Sequence, residues 1–218
     1  MRKIAINTFL TVDGVMQAPG GPEEDPTGGF THGGWSVKYW DDVMGQTMDE
    51  FMIRRPFDLL LGRKTYEIFA SHWPHAGDDP AAVVLNNAKK YVASRTLKSV
   101  DWKNSQLIKG DVAQEVAKLK REEGPEIQVH GSANLIQTLL KNDLIDEFSL
   151  WIFPVVLGTG KRLFEDGAIP ASLQLIDSKT STTGVIMSRF KRGGEIGYGS
   201  FALAEPTVDE IQRRERLA

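Results

Sequence analysis

A chain of 218 residues is long enough for one domain with a substantial core and short for two independent ones. Its composition, 41% hydrophobic and 25% charged, excludes a disordered or fibrous protein, and a net charge of −3 without a basic run argues against nucleic acid as a main partner. The absence of cysteine excludes disulfides, thiolate zinc sites, iron–sulfur clusters and a cysteine nucleophile, so any chemistry must use other groups.

In chain order, residues 4–12 are apolar with partial two-residue alternation and end at the turn pair Asp13-Gly14, which predicts a first strand. Residues 17–35 are rich in glycine and proline and too polar and flexible to pack as an element; long loops of this kind are usually functional or disordered. Residues 39–55 carry Trp40, Val43, Met44, Met48, Phe51 and Met52 at helical spacing up to Pro56, with Asp41, Asp42, Asp49 and Glu50 on the polar face. Strand, helix, strand and strand are then predicted at 57–61, 65–73, 89–93 and 106–109. A helix follows over 112–123, with Asp111 as N-cap and Gln114 at the capping-box position. Strand 127–130, helix 133–141 and strand 147–153 complete the alternation. Residues 172–178, 184–191 and 198–204 are strand-like with no helix between them, and Thr207 with Glu210 marks a short charged helix in the tail.

Strands separated by helices need crossover connections, which make neighbouring strands parallel. The expectation is an α/β fold with a mostly parallel central sheet, helices on both faces and antiparallel C-terminal strands. It forms one domain over 1–204, followed by a charged tail at 205–218. No stretch approaches the roughly 20 apolar residues of a membrane span, and Asp13 arrives before an export-signal core could form, so a cytoplasmic protein without a membrane partner is expected.

Ligands of open α/β sheets bind beyond the strands' carboxyl ends, where helix N-termini offer free amides to anions. The turn Gly62-Arg63-Lys64-Thr65 ends a strand at a glycine with two cations and a hydroxyl after it, and can hold a phosphate; it equally serves as a plain turn with Thr65 as cap. His130-Gly131-Ser132-Ala133-Asn134 repeats the strand–glycine–helix pattern without a full Gly-x-Gly-x-x-Gly, and a tight structural turn explains it as well. Ser94-Arg95-Thr96 puts an arginine between two hydroxyls, ready for a ribose-linked phosphate or simply solvated. Residues 158–162 imitate a Walker A end but lack its first glycine and its Ser/Thr. Four scattered histidines lack metal-ligand spacing, so no metal is expected.

Taken in order, these segments resemble the dihydrofolate-reductase-like fold, most closely the branch holding the C-terminal reductase domain of the bifunctional riboflavin-biosynthesis protein. The resembling pieces are Thr11-Val12-Asp13-Gly14, Leu60-Leu61-Gly62-Arg63-Lys64-Thr65-Tyr66-Glu67, Ala93-Ser94-Arg95-Thr96, Val129-His130-Gly131-Ser132-Ala133-Asn134, Leu144-Ile145-Asp146-Glu147 and Pro154-Val155-Val156-Leu157-Gly158-Thr159-Gly160. The resemblance implies an NADPH-dependent reductase passing hydride to a small heterocycle, similar to 5-amino-6-(5-phosphoribosylamino)uracil reductase. A dihydrofolate-reductase-like activity, or a nucleotide-binding module without catalysis, is the alternative. It further implies that Gly62, Arg63, Lys64 and Thr65 meet the adenosine side and pyrophosphate, that Ser94 and Arg95 take the 2′-phosphate, and that Gly131, Ser132, Ala133 and Asn134 present a helix N-terminus. Met16 and Gln17 would line the nicotinamide pocket at the start of a closing loop. Asp13, Asp49 and Glu50 are the candidates near the reacting centre, as proton donor or substrate anchor, and a homodimer is implied by the riboflavin branch. Three departures bear on the substrate: the zinc deaminase activity of the bifunctional protein is not expected, since its signature requires cysteines; the folate-anchoring acid is replaced by Gln46, with Asp49 and Glu50 a turn further on; and the loop through Pro19 to Trp35 is longer than a plain folate-enzyme loop and resembles that of stand-alone members of the family.

Overall fold

In the computed structural model, which describes residues 1–50, 54–165 and 168–217, one eight-stranded sheet organises the chain. Its strands are β1 (Ile4–Thr11), β2 (Phe57–Gly62), β3 (Lys90–Ala93), β4 (Ser105–Ile108), β5 (Glu126–His130), β6 (Glu147–Phe153), β7 (Leu173–Thr180) and β8 (Ile186–Arg192), in the order β4-β3-β2-β5-β1-β6-β8-β7. Neighbours from β4 to β6 are parallel, while β6–β8 and β8–β7 are antiparallel, as the loss of intervening helices in the last third predicts. The helices are α1 (Asp42–Met48), α2 (Arg63–His72), α3 (Pro80–Asn87), α4 (Val112–Arg121), α5 (Ala133–Lys141) and α6 (Val208–Glu215).

Strand β2 is buried on both sides, with Leu60 toward one face and Leu59 and Leu61 toward the other, because helices cover both faces there. On one face Ile4, Ile6, Leu60, Ile127, Val129 and Phe148 pack against Val116 of α4 and Leu135, Ile136 and Leu139 of α5. On the other, Phe57, Leu59 and Leu61 meet Tyr66 of α2 and Leu85 of α3. Further along that face Trp151, Phe153 and Met187 meet Met44 of α1. A cavity lies over Asn7, Thr8 and Phe9 of β1 and His130 of β5.

Several expectations are corrected. The helix expected over 39–55 is shorter: Tyr39 belongs to a 3₁₀ turn, and α1 starts only after Asp41, whose carboxylate accepts from the Met44 amide. Asp41 is therefore a cap, which also takes the Thr182 amide and hydroxyl at 2.7 Å, not part of a solvated face. Phe51 and Met52 of that expectation lie outside the described residues. Helix α3 was not anticipated, although Asp79 caps it and Pro80 opens it, the pairing that favours a first turn. Residues 198–204 form no strand: β7 already ends the sheet, and Tyr198, Phe201 and Leu203 stay exposed. The glycine-rich loop after Asp13 forms no strand and only a short 3₁₀ turn, yet it is packed, with Val15, Ala18 and Phe30 buried together. Among the described residues no helix is long and apolar enough to cross a membrane.

Candidate functional site: a cavity across the strand ends

The six α-helices of the described residues need their first amides satisfied. Asp41, Asp79, Asp111 and Thr207 do this with a side chain for α1, α3, α4 and α6, whereas α2 and α5 have no side-chain cap. Those two uncapped N-termini stand side by side, because β2 and β5 are neighbours, and both line a cavity of about 1660 Å³. That exceeds the roughly 300–1,000 Å³ of an ordinary small-molecule pocket and suits a long ligand with a second one beside it.

One hydroxyl joins the two turns. Ser132 Oγ accepts from the Gly62 amide at 3.0 Å and donates to Thr65 Oγ1 at 2.9 Å. To do so the chain passes through the left-handed region at both Gly131 (φ +56°) and Ser132 (φ +61°), the first at no steric cost and the second under strain that a serine tolerates only with such anchoring. Thr65 is thus a buried tie between helices; the cap position of α2 belongs to Gly62.

The cations are distributed unevenly. Lys64 Nζ reaches Asp25 at 3.2 Å and Thr27 Oγ1 at 2.7 Å, and Lys161 pairs with the same carboxylate and hydroxyl. Burial pushes the Asp25 carboxyl up, but its bonds to Lys161 and Thr27 bring it down to about 2, so the latch is ionised at neutral pH. Gln17 is buried and spends its amide inside the loop, donating to the carbonyls of Asp25 (2.8 Å) and Thr27 (2.9 Å) and accepting from the Lys161 amide. Arg63 pairs with Glu67 along its own helix at 3.3 Å. Arg95 lines the cavity without an ion-pair partner among the described residues, on a turn in which Ser94 Oγ accepts from the amides of Thr96 and Leu97.

The far half of the cavity differs in character. Phe9 stacks on Trp151 at 5.3 Å and Trp151 on Trp40 at 6.1 Å, making an aromatic wall next to Gly45, Met48 and Asp49 of the α1 end. Its floor is polar: Asn7, His130 and Ser149 lie on the adjacent strands β1, β5 and β6, with Asn7 opposite both others in register. Burial pushes the His130 imidazole down to about 4, so it is neutral at physiological pH.

The cavity brings together Met16, Gln17, Gly62, Arg63, Lys64, Thr65, Ser94, Arg95, Gly131, Ser132, Ala133, Asn134 and Asp49. It does not include Asp13 or Glu50. The Asp13 carboxylate accepts from Thr11 Oγ1 (2.6 Å) and from the amides of Leu157 and Gly158, and the Thr11 hydroxyl foremost holds it at about 2. It ties the end of β1 to the segment after β6. Glu50 pairs with Lys179 at the surface, which lowers its pKa. Sequence reasoning missed Asn7, Ser149, the aromatic wall and the His130 ring. The signal for the last was on β5 itself, where Glu126, Gln128 and His130 alternate with buried Ile127 and Val129.

Known proteins share this architecture. The structure matches a protein from Shewanella sp. PV-4 provisionally named for riboflavin biosynthesis (TM-score 0.58, 22% identity, 88% of this chain and 99% of that one). A pyrimidine reductase-like protein from Corynebacterium diphtheriae (TM-score 0.56, 13% identity, 89% and 93%) matches as well. So does a dihydrofolate reductase from Enterococcus faecalis complexed with NADP(H) (TM-score 0.54, 14% identity, 88% and 96%). In sequence the chain is 32% identical over 194 residues to the uncharacterized protein YyaP of Bacillus subtilis, covering 85% of this chain and 92% of that protein. It is 28% identical to YwjB of the same organism over 180 residues, covering 82% and 91%. The RibD C-terminal domain model matches residues 2–187, from the buried Arg2 to β8, and the chain belongs to that family, on a dihydrofolate-reductase-like fold.

Proposed function

We propose that the protein is an NADPH-dependent reductase that transfers hydride to a small planar heterocycle. The observation that carries this reading is the pair of uncapped helix N-termini, α2 and α5, bridged by Ser132 and opening on one cavity. The residues fit a dinucleotide. Free amides at the starts of both helices, each at the positive end of a helix dipole, suit a pyrophosphate. Arg95 offers an unspent guanidinium for a 2′-phosphate, and Ser94 fixes the turn that carries it.

When bound, a reduced nicotinamide supplies the hydride. The chain's own residues do the rest. Phe9, Trp40 and Trp151 offer flat apolar surface that orients a planar ring and excludes water. Asp49, on the lining beside them, is a carboxylate placed to anchor the ring or to relay a proton to it from solvent. The loop from Met16 to Asp25, latched by Asp25 to Lys64 and Lys161, forms the lid. A cytoplasmic location follows from the same reading. Exposed Leu175, Ile176 and Ile186 on the β7–β8 hairpin fit pairing with a second copy of the chain.

The test is a thermal-shift titration with NADPH and NADH in parallel, in which a ligand bound only by the native state raises stability by about 2.7 kcal/mol at one hundred times its Kd. NADPH is expected to shift the transition more than NADH, and Arg95→Ala to erase the difference. No shift with either dinucleotide refutes the reading.

A further inference from the structure

His130 sits at the floor of the cavity with one ring nitrogen engaged. Its Nε2 lies 3.0 Å from Gln128 Oε1, and Gln128 Nε2 donates to Glu126 Oε1 at 3.0 Å. This chain has one solution. A carboxylate only accepts, so the Gln128 amide must turn its NH₂ toward Glu126 and its oxygen toward His130. The imidazole, neutral in this buried place, must therefore carry its proton on Nε2. Nδ1 is left as a bare acceptor with no donor among the described residues. The ring itself packs against Phe57 (6.4 Å) and Phe69 (6.3 Å).

Across the β1–β5 pairing, directly opposite His130, Asn7 lines the same cavity, but its Nδ2, unpartnered among the described residues, is buried out of reach of a ligand there. The spare group on the floor is therefore the His130 acceptor, whose complement is the N–H of an amide. Such buried polar groups reject a ligand lacking the matching partner far more strongly than an apolar pocket rejects a change of size.

We infer that His130 selects an amide N–H: its Nδ1 accepts the N–H of a carboxamide or lactam, with Glu126 and Gln128 as the positioning residues that fix the histidine tautomer. The inference deepens the reductase reading and rests on it. The amide has two sources, the carboxamide of the nicotinamide or a lactam in the second ligand's ring.

The experiment compares two pairs of probes that differ at that N–H. NADPH is set against its reduced 3-acetylpyridine analogue, a methyl ketone in place of the carboxamide. Lumazine, a pteridine with lactam N–H groups, is set against 1,3-dimethyllumazine on protein saturated with NADP⁺. The wild type is expected to bind the N–H member of one pair at least tenfold more tightly, and that pair names the source. His130→Phe, which keeps the ring contacts and removes both nitrogens, is expected to bring that ratio to near one. Gln128→Leu is expected to reduce it only in part, with the ¹⁵N shifts of His130 showing Nδ1 partly protonated where the wild type shows protonation on Nε2 alone. Wild-type protein that discriminates neither pair overturns the inference, as does a ratio unchanged in a folded His130→Phe variant. Failure of NADPH itself to bind is a separate result, which overturns the reductase reading instead.

Discussion

Ser132 Oγ donates to Thr65 Oγ1 across 2.9 Å, and this one bond fastens the first turn of α5 to the first turn of α2. The same oxygen accepts from Gly62, so a single hydroxyl positions both amide clusters of the cavity. Ser132→Ala leaves a part-buried amide and hydroxyl without their partner, a loss of about 1–2 kcal/mol. Calorimetry should report a Tm several degrees lower. NADPH titration should show affinity weakened beyond what Thr65→Val alone produces, since Thr65→Val keeps the bond to Gly62.

Asp13 is expected to act on stability and not on binding. Its carboxyl is held at about 2, below its ordinary 3.8, so its contribution is present in full above about pH 4 and is lost as pH falls through 2. Asp13→Asn should destabilise by about 1–2 kcal/mol at neutral pH, a figure discounted for the partial exposure of the site. Urea denaturation at a series of pH values should show that deficit narrowing from pH 4 downward, with NADPH affinity within twofold of wild type.

Asp49 and Glu50 are adjacent in sequence and separate in role. Asp49 lines the cavity, whereas Glu50 pairs with Lys179 outside it. Asp49→Asn should lower turnover at least tenfold while leaving NADPH binding intact, and Glu50→Gln should leave both unchanged. Steady-state kinetics on a heterocycle found by screening decides between them, and equal losses in the two variants would contradict this placement.

The loop latch has its own pH signature. Because the Asp25 carboxyl is held at about 2, its pairs with Lys64 and Lys161 should persist to about pH 3. Asp25→Asn weakens both pairs at once, and hydrogen exchange or limited proteolysis should detect faster opening around Gly28 and Gly29, which follow the Thr27 hydroxyl bound by both lysines.

Lys90 is a buried cation without a carboxylate partner among the described residues. Its Nζ donates to the carbonyls of Asn86, Ala88 and Lys103 and lies 4.1 Å from the centre of the Trp102 ring, closing α3 and the turn before β4 onto the sheet. Lys90→Met strands three carbonyl oxygens and should cost about 2–4 kcal/mol in chemical denaturation, with no direct effect on the cavity.

Local pattern was enough for much of this architecture. Apolar runs such as Leu59, Leu60 and Leu61 mark strands covered on both faces, and Asp111 followed by Gln114 marks the start of α4, because a few residues decide burial periodicity and capping. The glycine turns at Gly62 and Gly131 were legible for the same reason. What sequence alone could not supply was the company each side chain keeps. Asp13 and Asp49 are both carboxylates near a predicted ligand loop, yet amides from Leu157 and Gly158, more than 140 residues away, consume one and leave the other on the cavity wall. Lys64 reads as a phosphate cation until the loop brings Asp25 against it. His130 reads as a scattered histidine until pairing of β5 with β1 sets Asn7 beside it. Spacing along the chain determines which elements form, but hydrogen-bond partners and desolvation arise only when distant strands pair, and those decide which polar groups remain free to bind.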